Sequence, residues 1–294
     1  MSDELRRKAI ALYDRFTHET MDRRAFMAEL TRLAGSAAAA NALLLSVAAC
    51  STVPPVIGEG ASGLVTGDVV WETAPGRRMT GYSAAPARWR RGGPAVIVIH
   101  ENRGLNDHIR DVARRAALAG YRALAPDFLA PGGGTPADED QARTMIGALD
   151  AAATVADAVA TARWLRSGAG GGHRRVGAVG FCWGGGMVNR LAVAAGDGLD
   201  AGIPFYGPGP DPVQARRVSA AMLVILAGRD QRVNATALPW VEALRAAGKR
   251  VEAITYPEVD HAFHNDTAAA RYDRAAAEQA WAATLAFFAR HLRP

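Results

Sequence analysis

Cysteine is nearly absent: Cys50 and Cys182 are the only two in 294 residues. Cys50 ends an apolar run near the N-terminus and Cys182 lies in a glycine-rich stretch, so a disulfide framework is not indicated. Lysine is equally scarce, with Lys8 and Lys249 alone, and the net charge of +5 is therefore carried by arginine. These arginines are scattered among acidic neighbours, and no basic stripe or recognition module emerges, which argues against a nucleic-acid partner. No apolar run reads as a confident membrane span, because the weakly apolar stretch 33–49 is interrupted by Gly35, Ser36 and Asn41. The histidines show no metal-ligand spacing, and neither a metal nor an organic cofactor is expected. What remains is a chain with 49% hydrophobic and 21% charged residues, enough to bury a sizeable core.

Residues 1–50 read as an export signal or N-terminal extension set apart from the fold. A polar, helix-prone stretch precedes Asp22-Arg23-Arg24-Ala25-Phe26-Met27, and a mild apolar stretch with small residues follows. The arginine pair resembles a twin-arginine signal, which implies export machinery acting on residues 22–49 and a periplasmic or other extracytoplasmic location. Val47-Ala48-Ala49-Cys50 also resembles a lipobox, which would anchor the protein to a membrane through Cys50. The competing reading is a retained amphipathic helix on a cytoplasmic enzyme. Residues 51–63, with Pro54-Pro55 and several glycines, read as a linker. The catalytic domain is then 64–294.

That domain opens with a hairpin pattern turning at Ala74-Pro75-Gly76. Thereafter short apolar runs alternate with helical periodicity. Ala95-Val96-Ile97-Val98-Ile99 is a continuous β-branched run of the kind buried on both faces. Further strands are expected over 121–125, 176–181, 201–206, 222–227 and 251–256. Helices are expected over 107–119, in two stretches within 137–166, and over 184–195, 238–247 and 268–292. The alternation predicts an α/β fold with a mostly parallel sheet and helices on both faces. Reacting groups in such sheets gather at the carboxyl ends of the strands.

One motif stands at such an end. Gly180-Phe181-Cys182-Trp183-Gly184-Gly185 has the form glycine, any residue, nucleophile, any residue, glycine, between a strand and a helix. The glycines suit a turn too tight for side chains, and the helix N-terminus favours a thiolate. Taken alone, Cys182 could equally be a buried structural cysteine. Asp230 follows a later strand in Gly228-Arg229-Asp230, where it is either an orienting acid or a helix cap. His261 lies in the loop after the next strand, with His264 as a competitor. The order cysteine, aspartate, histidine is that of an α/β-hydrolase triad, with His261 as acid and base and Asp230 as its orienter.

Together with His100-Glu101-Asn102-Arg103-Gly104, Ala125-Pro126-Asp127 and Asp260-His261-Ala262-Phe263, these segments resemble the dienelactone hydrolase family over roughly 64–293. The resemblance implies an α/β-hydrolase that cleaves an ester or lactone (carboxymethylenebutenolidase-like) through a thioester on Cys182. It also implies that Glu101 interacts with the resting cysteine, and that the backbone N–H groups of Trp183 and Asn102 form the oxyanion hole. Family members hold a substrate carboxylate with arginines, one shortly after the catalytic histidine. Here Ala262-Phe263-His264-Asn265-Asp266 has none, so Arg103 and Arg143 are the substrate-binding candidates. The rival readings are a broad-range carboxylesterase or thioesterase on the same scaffold and an exported binding module without turnover.

Overall fold

Among the described residues, eight strands form one sheet: β1 (Leu64–Ala74), β2 (Arg77–Pro86), β3 (Ala95–Ile99), β4 (Arg122–Asp127), β5 (Val176–Phe181), β6 (Ala201–Phe205), β7 (Ala221–Ala227) and β8 (Val251–Tyr256). Their order in the computed structural model, which describes residues 2–18, 21–48, 56–89, 92–167 and 174–293, is β1-β2-β4-β3-β5-β6-β7-β8. The β1–β2 hairpin is antiparallel and joins β4 antiparallel, and every remaining pairing is parallel. Strands β3, β5, β6 and β7 are buried at every residue, as their unbroken apolar runs require.

Among the described residues, nine α-helices cover the sheet and its strand ends. Three precede it: α1 (Asp3–His18), α2 (Arg23–Ala34) and α3 (Ala37–Ala48). Six are interleaved with the strands: α4 (Asp107–Leu118), α5 (Glu139–Gly147), α6 (Ala151–Ser167), α7 (Trp183–Ala194), α8 (Gln231–Ala246) and α9 (Arg274–Leu292). One apolar layer packs α4 and α9 against one face of the sheet, and a second packs α6, α7 and part of α8 against the other.

Two boundaries differ from the sequence reading. Helix α8 begins at Gln231 rather than near 238, because Asp230 caps it and Pro239 sits inside the helix instead of opening it. Helix α9 begins at Arg274 rather than 268, capped by Asp273, whose side chain accepts from Ala276 N.

The larger difference is at the N-terminus. Residues set apart from the fold in the sequence reading form α1–α3, with their own apolar cluster of Ile10, Leu12, Tyr13, Phe26, Leu30, Leu43 and Val47. Phe26 stacks on Phe16 at 4.4 Å between ring centres and meets Tyr13 edge-on at 6.3 Å. Arg23 and Arg24 are exposed in the first turn of α2, which Asp22 caps through Ala25 N at 2.8 Å. No single helix among the described residues is long and apolar enough to cross a membrane. Ala49 and Cys50 of the expected lipobox lie outside the described residues, while Val47 and Ala48 end α3.

Because Phe26 is buried between α1 and α2, Phe26→Ala should destabilise the N-terminal layer by about 3–5 kcal/mol. Limited trypsin digestion should then cut within residues 3–48 well before the sheet domain. Equal digestion of variant and wild type would show that the layer does not depend on this packing.

Candidate active site

Strand β5 delivers Phe181 into the core, and the next residue turns sharply. Cys182 has φ 57 and ψ −116, an unfavourable conformation for any residue with a side chain. The turn closes only because its neighbours lack side chains. A Cβ on Gly180 would lie 2.3 Å from the carbonyl oxygen of Gly184, and one on Gly184 would lie 2.4 Å from those of Ile99 and His100. The sulfur is thus held at the start of α7, where first-turn N–H groups have no carbonyl partner within the helix. The ring of His100 stacks on Trp183 at 5.2 Å and fixes the residue that follows the cysteine. Its Nδ1 donates to Glu101 O at 2.7 Å and its Nε2 accepts from Phe128 N at 3.3 Å, while burial holds the ring's pKa below the usual value.

His261 and Asp230 meet at this point. Nδ1 of His261 donates to Asp230 Oδ2 at 2.5 Å, with both side chains buried. Oδ1 of the same aspartate accepts from Val233 N at 3.0 Å, so one carboxylate both orients the imidazole and caps α8. The opposite nitrogen of His261, Nε2, is buried and has no hydrogen-bond partner. His264 turns the other way, stacked on Phe181 at 4.9 Å, with its pKa held well below the usual value chiefly by burial. It belongs to the core. The non-glycine residues with positive φ among the described residues are Cys182, Tyr206 and Ala262. Tyr206 packs 5.0 Å from the His261 ring and Ala262 follows His261, so backbone strain collects around this one point.

The hydrogen-bond partner of the thiol comes from the N-terminal layer. Nε2 of His18, at the end of α1, lies 2.9 Å from Cys182 Sγ. Its Nδ1 donates to the main-chain oxygen of Asp14 at 2.9 Å and lies 3.1 Å from the Asp14 carboxylate. Asp14 in turn accepts from Arg232 Nε at 3.1 Å. The rings of His18 and His261 meet edge-on at 4.8 Å.

Three residues expected to serve other roles hold α1 in place. Arg103 Nη2 donates to Tyr13 Oη at 2.9 Å, Arg143 Nη1 to Phe16 O at 3.1 Å, and Asn102 Nδ2 to Thr17 O at 3.2 Å. Neither arginine is therefore presented simply as a carboxylate receptor. Glu101 is also differently engaged from expectation. Its Oε2 accepts from Asn265 Nδ2 at 2.6 Å and its Oε1 is buried without a partner, while the thiol's hydrogen bond goes to His18. Asp14, His18 and Arg232 were not singled out in the sequence. The only local signal was the four-residue spacing of Asp14 and His18, which puts both on one face of a helix.

Burial alone would push the Cys182 thiol up. The charges of His18 and then His261, with the hydrogen bond from His18, outweigh it and bring the pKa down to about 6. Against the opposing effect of burial, the thiolate and Asp14 raise His18 to about 9, and the carboxylates of Asp14 and Asp230, then the thiolate, hold His261 well above its usual value. One donor atom each from His18, Cys182 and His261 lie within 4.8 Å of one another, a set a soft divalent ion could also use. Of these contacts, that between His18 Nε2 and Cys182 Sγ is a hydrogen bond.

A mostly parallel sheet carrying a nucleophile-type turn after β5, an acid after β7 and a histidine after β8 defines an α/β-hydrolase. The Dienelactone hydrolase family model matches residues 79–292, and the chain belongs to that family. A Salmonella typhi protein named "Putative carboxymethylenebutenolidase" is 31% identical over 258 residues, covering 83% of this chain and 94% of that protein. The crystal structure of P91, a dienelactone hydrolase-like promiscuous phosphotriesterase from metagenomic libraries, superposes with a TM-score of 0.69 at 25% identity, over 79% of this chain and all (100%) of that one. Brefeldin A esterase, a bacterial homologue of human hormone sensitive lipase, shares the fold at 14% identity with a TM-score of 0.64. It covers 99% of this chain and 93% of its own, so that likeness of fold extends over the N-terminal helices.

Thiolate is the form that reacts with alkylating agents, and a lowered pKa keeps it populated as pH falls. Alkylation of Cys182 by iodoacetamide should hold its full rate down to near pH 7 and be halved at about pH 6. A midpoint near that of an ordinary thiol, roughly 8.5, would show that the neighbouring imidazoles do not act on the sulfur.

Proposed function

We propose that the chain hydrolyses small carboxylic esters or lactones, with Cys182 as nucleophile, His261 as general acid and base, and Asp230 as its orienter. The observation that carries this reading is the strained turn that holds Sγ at the strand end, beside a buried His261–Asp230 pair. The thiolate attacks the carbonyl carbon, forming the C–S bond and pushing the π pair onto oxygen. In this reading the backbone N–H groups of Trp183 and Asn102 receive that oxyanion. Collapse breaks the C–O bond, and the leaving alkoxide takes the proton carried by His261. Neutral His261 then removes a proton from water, whose oxygen adds to the thioester, and the second collapse returns the thiolate and releases the acid. All atoms balance without a cofactor.

The space beside the sulfur limits the substrate. A cavity of about 230 Å³ adjoins Cys182, walled by Ile146, Trp183, Tyr206, Pro208 and Val233. It is below the usual range for drug-sized ligands, roughly 300–1,000 Å³, and suits a short acyl group or a small lactone ring. Most of the wall is apolar, and the two arginines that also line it, Arg143 and Arg232, are already engaged by Phe16 O and the Asp14 carboxylate, which favours substrates without a free carboxylate. The broad-range carboxylesterase reading therefore carries more weight for this chain than a dienelactone-specific one.

Hydrolysis of p-nitrophenyl acetate and of an unsubstituted lactone should fall at least about 10³-fold in Cys182→Ala. Rapid quenching of wild type should trap an acyl group on the peptide containing residue 182, seen by mass spectrometry. Wild-type rates in Cys182→Ala would sink the assignment.

A further inference from the structure

The N-terminal helix does more than cover the site. We propose that Asp14 and His18 form a second acid–imidazole pair of the working enzyme, with His18 taking the proton of Cys182 and keeping it while His261 serves the leaving group and the water. This inference rests on the cysteine mechanism proposed above and assigns the resting thiolate its partner.

The geometry makes the case. Two carboxylate–imidazole pairs converge on one sulfur, Asp230–His261 from the strand ends and Asp14–His18 from α1. Of the two rings, His18 makes the hydrogen bond to Sγ, whereas His261 Nε2 has no partner and is left for substrate or water. The helix is seated by side chains from separate parts of the domain, namely Asn102, Arg103, Arg143 and Arg232, with Arg6 reaching Ala270 O at 2.8 Å. A helix that merely plugged the site would fill the space next to the sulfur. Here the 230 Å³ cavity stays open, with both His18 and Cys182 on its wall.

The charges support the same division of labour. The groups facing His18 are Asp14 on its own helix, Cys182 at the turn, His261 before α9, Arg232 on α8, Arg143 on α5 and Glu101 after β3. The innermost six groups (Asp14, Asp230 and thiolate Cys182 against His18, His261 and Arg232) balance charge when both imidazoles are protonated. Proton transfer from Sγ to His18 Nε2 creates no net charge in the buried site. It leaves the lone pair on sulfur and the positive charge on a ring that Asp14 supports. The proton then stays on His18 through acylation and deacylation, and the reaction needs no reactant beyond ester and water.

The test compares full-length wild type with His18→Gln, Asp14→Asn, His261→Ala and Cys182→Ala, in the presence of a chelator. Ester hydrolysis and the pH dependence of iodoacetamide alkylation are both measured. His18→Gln should lower kcat/KM about 10²-fold and move the alkylation midpoint up by at least about one pH unit. Asp14→Asn should shift both in the same direction by less. The alkylation profile is also read on Phe26→Ala, which loosens α1 without touching either pair and should likewise raise the midpoint and slow hydrolysis. If Cys182→Ala and His261→Ala hydrolyse at wild-type rates, the proposed function itself fails. If those two are inactive while His18→Gln matches wild type in rate and alkylation midpoint, the function stands and the second pair is refuted. Faster hydrolysis by His18→Gln or Phe26→Ala would make α1 a plug and refute it too. So would a fully active native protein whose mass shows that it begins near residue 51.

Discussion

The arrangement of the whole molecule turns on the conformation of Cys182. A left-handed residue directly after a buried parallel strand is costly, and three kinds of packing make it bearable. Gly180 and Gly184 let the turn fold back on itself, with carbonyl oxygens of β3 and its following residue pressed against the latter. The main-chain N–H of Cys182 donates to Phe205 O at 3.0 Å, which ties the turn to β6. Trp183 is clamped by the stacked ring of His100. The strain is therefore supported by β3, β5 and β6 at once, and the sulfur has a fixed place onto which other groups can be aimed.

What is aimed onto it comes from distant parts of the chain. Asp230 and His261 sit at successive strand ends, so the parallel sheet alone brings them close. Asp14 and His18 arrive by a different route, on a helix that must dock as a body. Its apolar face closes over Phe26 and Leu30, and its polar face is received by Asn102, Arg103, Arg143 and Arg232. Arg103 and Arg143 serve here as anchors for the helix. The consequence is a small, mostly apolar cavity beside the sulfur, whose two arginines, Arg143 and Arg232, are already engaged by Phe16 O and Asp14.

Glu101 shows how such a layer redistributes roles. A carboxylate near a neutral thiol can gate it by keeping it protonated. Here Asn265 takes up one of its oxygens and an imidazole occupies the place beside the thiol. The balance then tips from repulsion of the thiolate to its stabilisation, and the thiol falls to about 6 despite complete burial.

The sequence by itself determined the parallel sheet, the turn at Cys182 and the order of its acid and histidine. Those features are local: continuous β-branched runs follow from burial on both faces, and the glycines from a turn with no room for side chains. Asp230 was ambiguous between cap and orienter, and the structure has it serve as both, one oxygen each. The expected helix over 238–247 missed the first turns of α8, which Asp230 caps at Gln231 and in which Pro239 is tolerated in the interior. Only the tertiary structure decided the place of α1–α3, the employment of Arg103 and Arg143, and the contact between His18 and Cys182. That contact joins residues 164 positions apart. Its strength depends on the docking of one amphipathic surface, and polar residues on a helix look the same in sequence whether they face water or a buried sulfur.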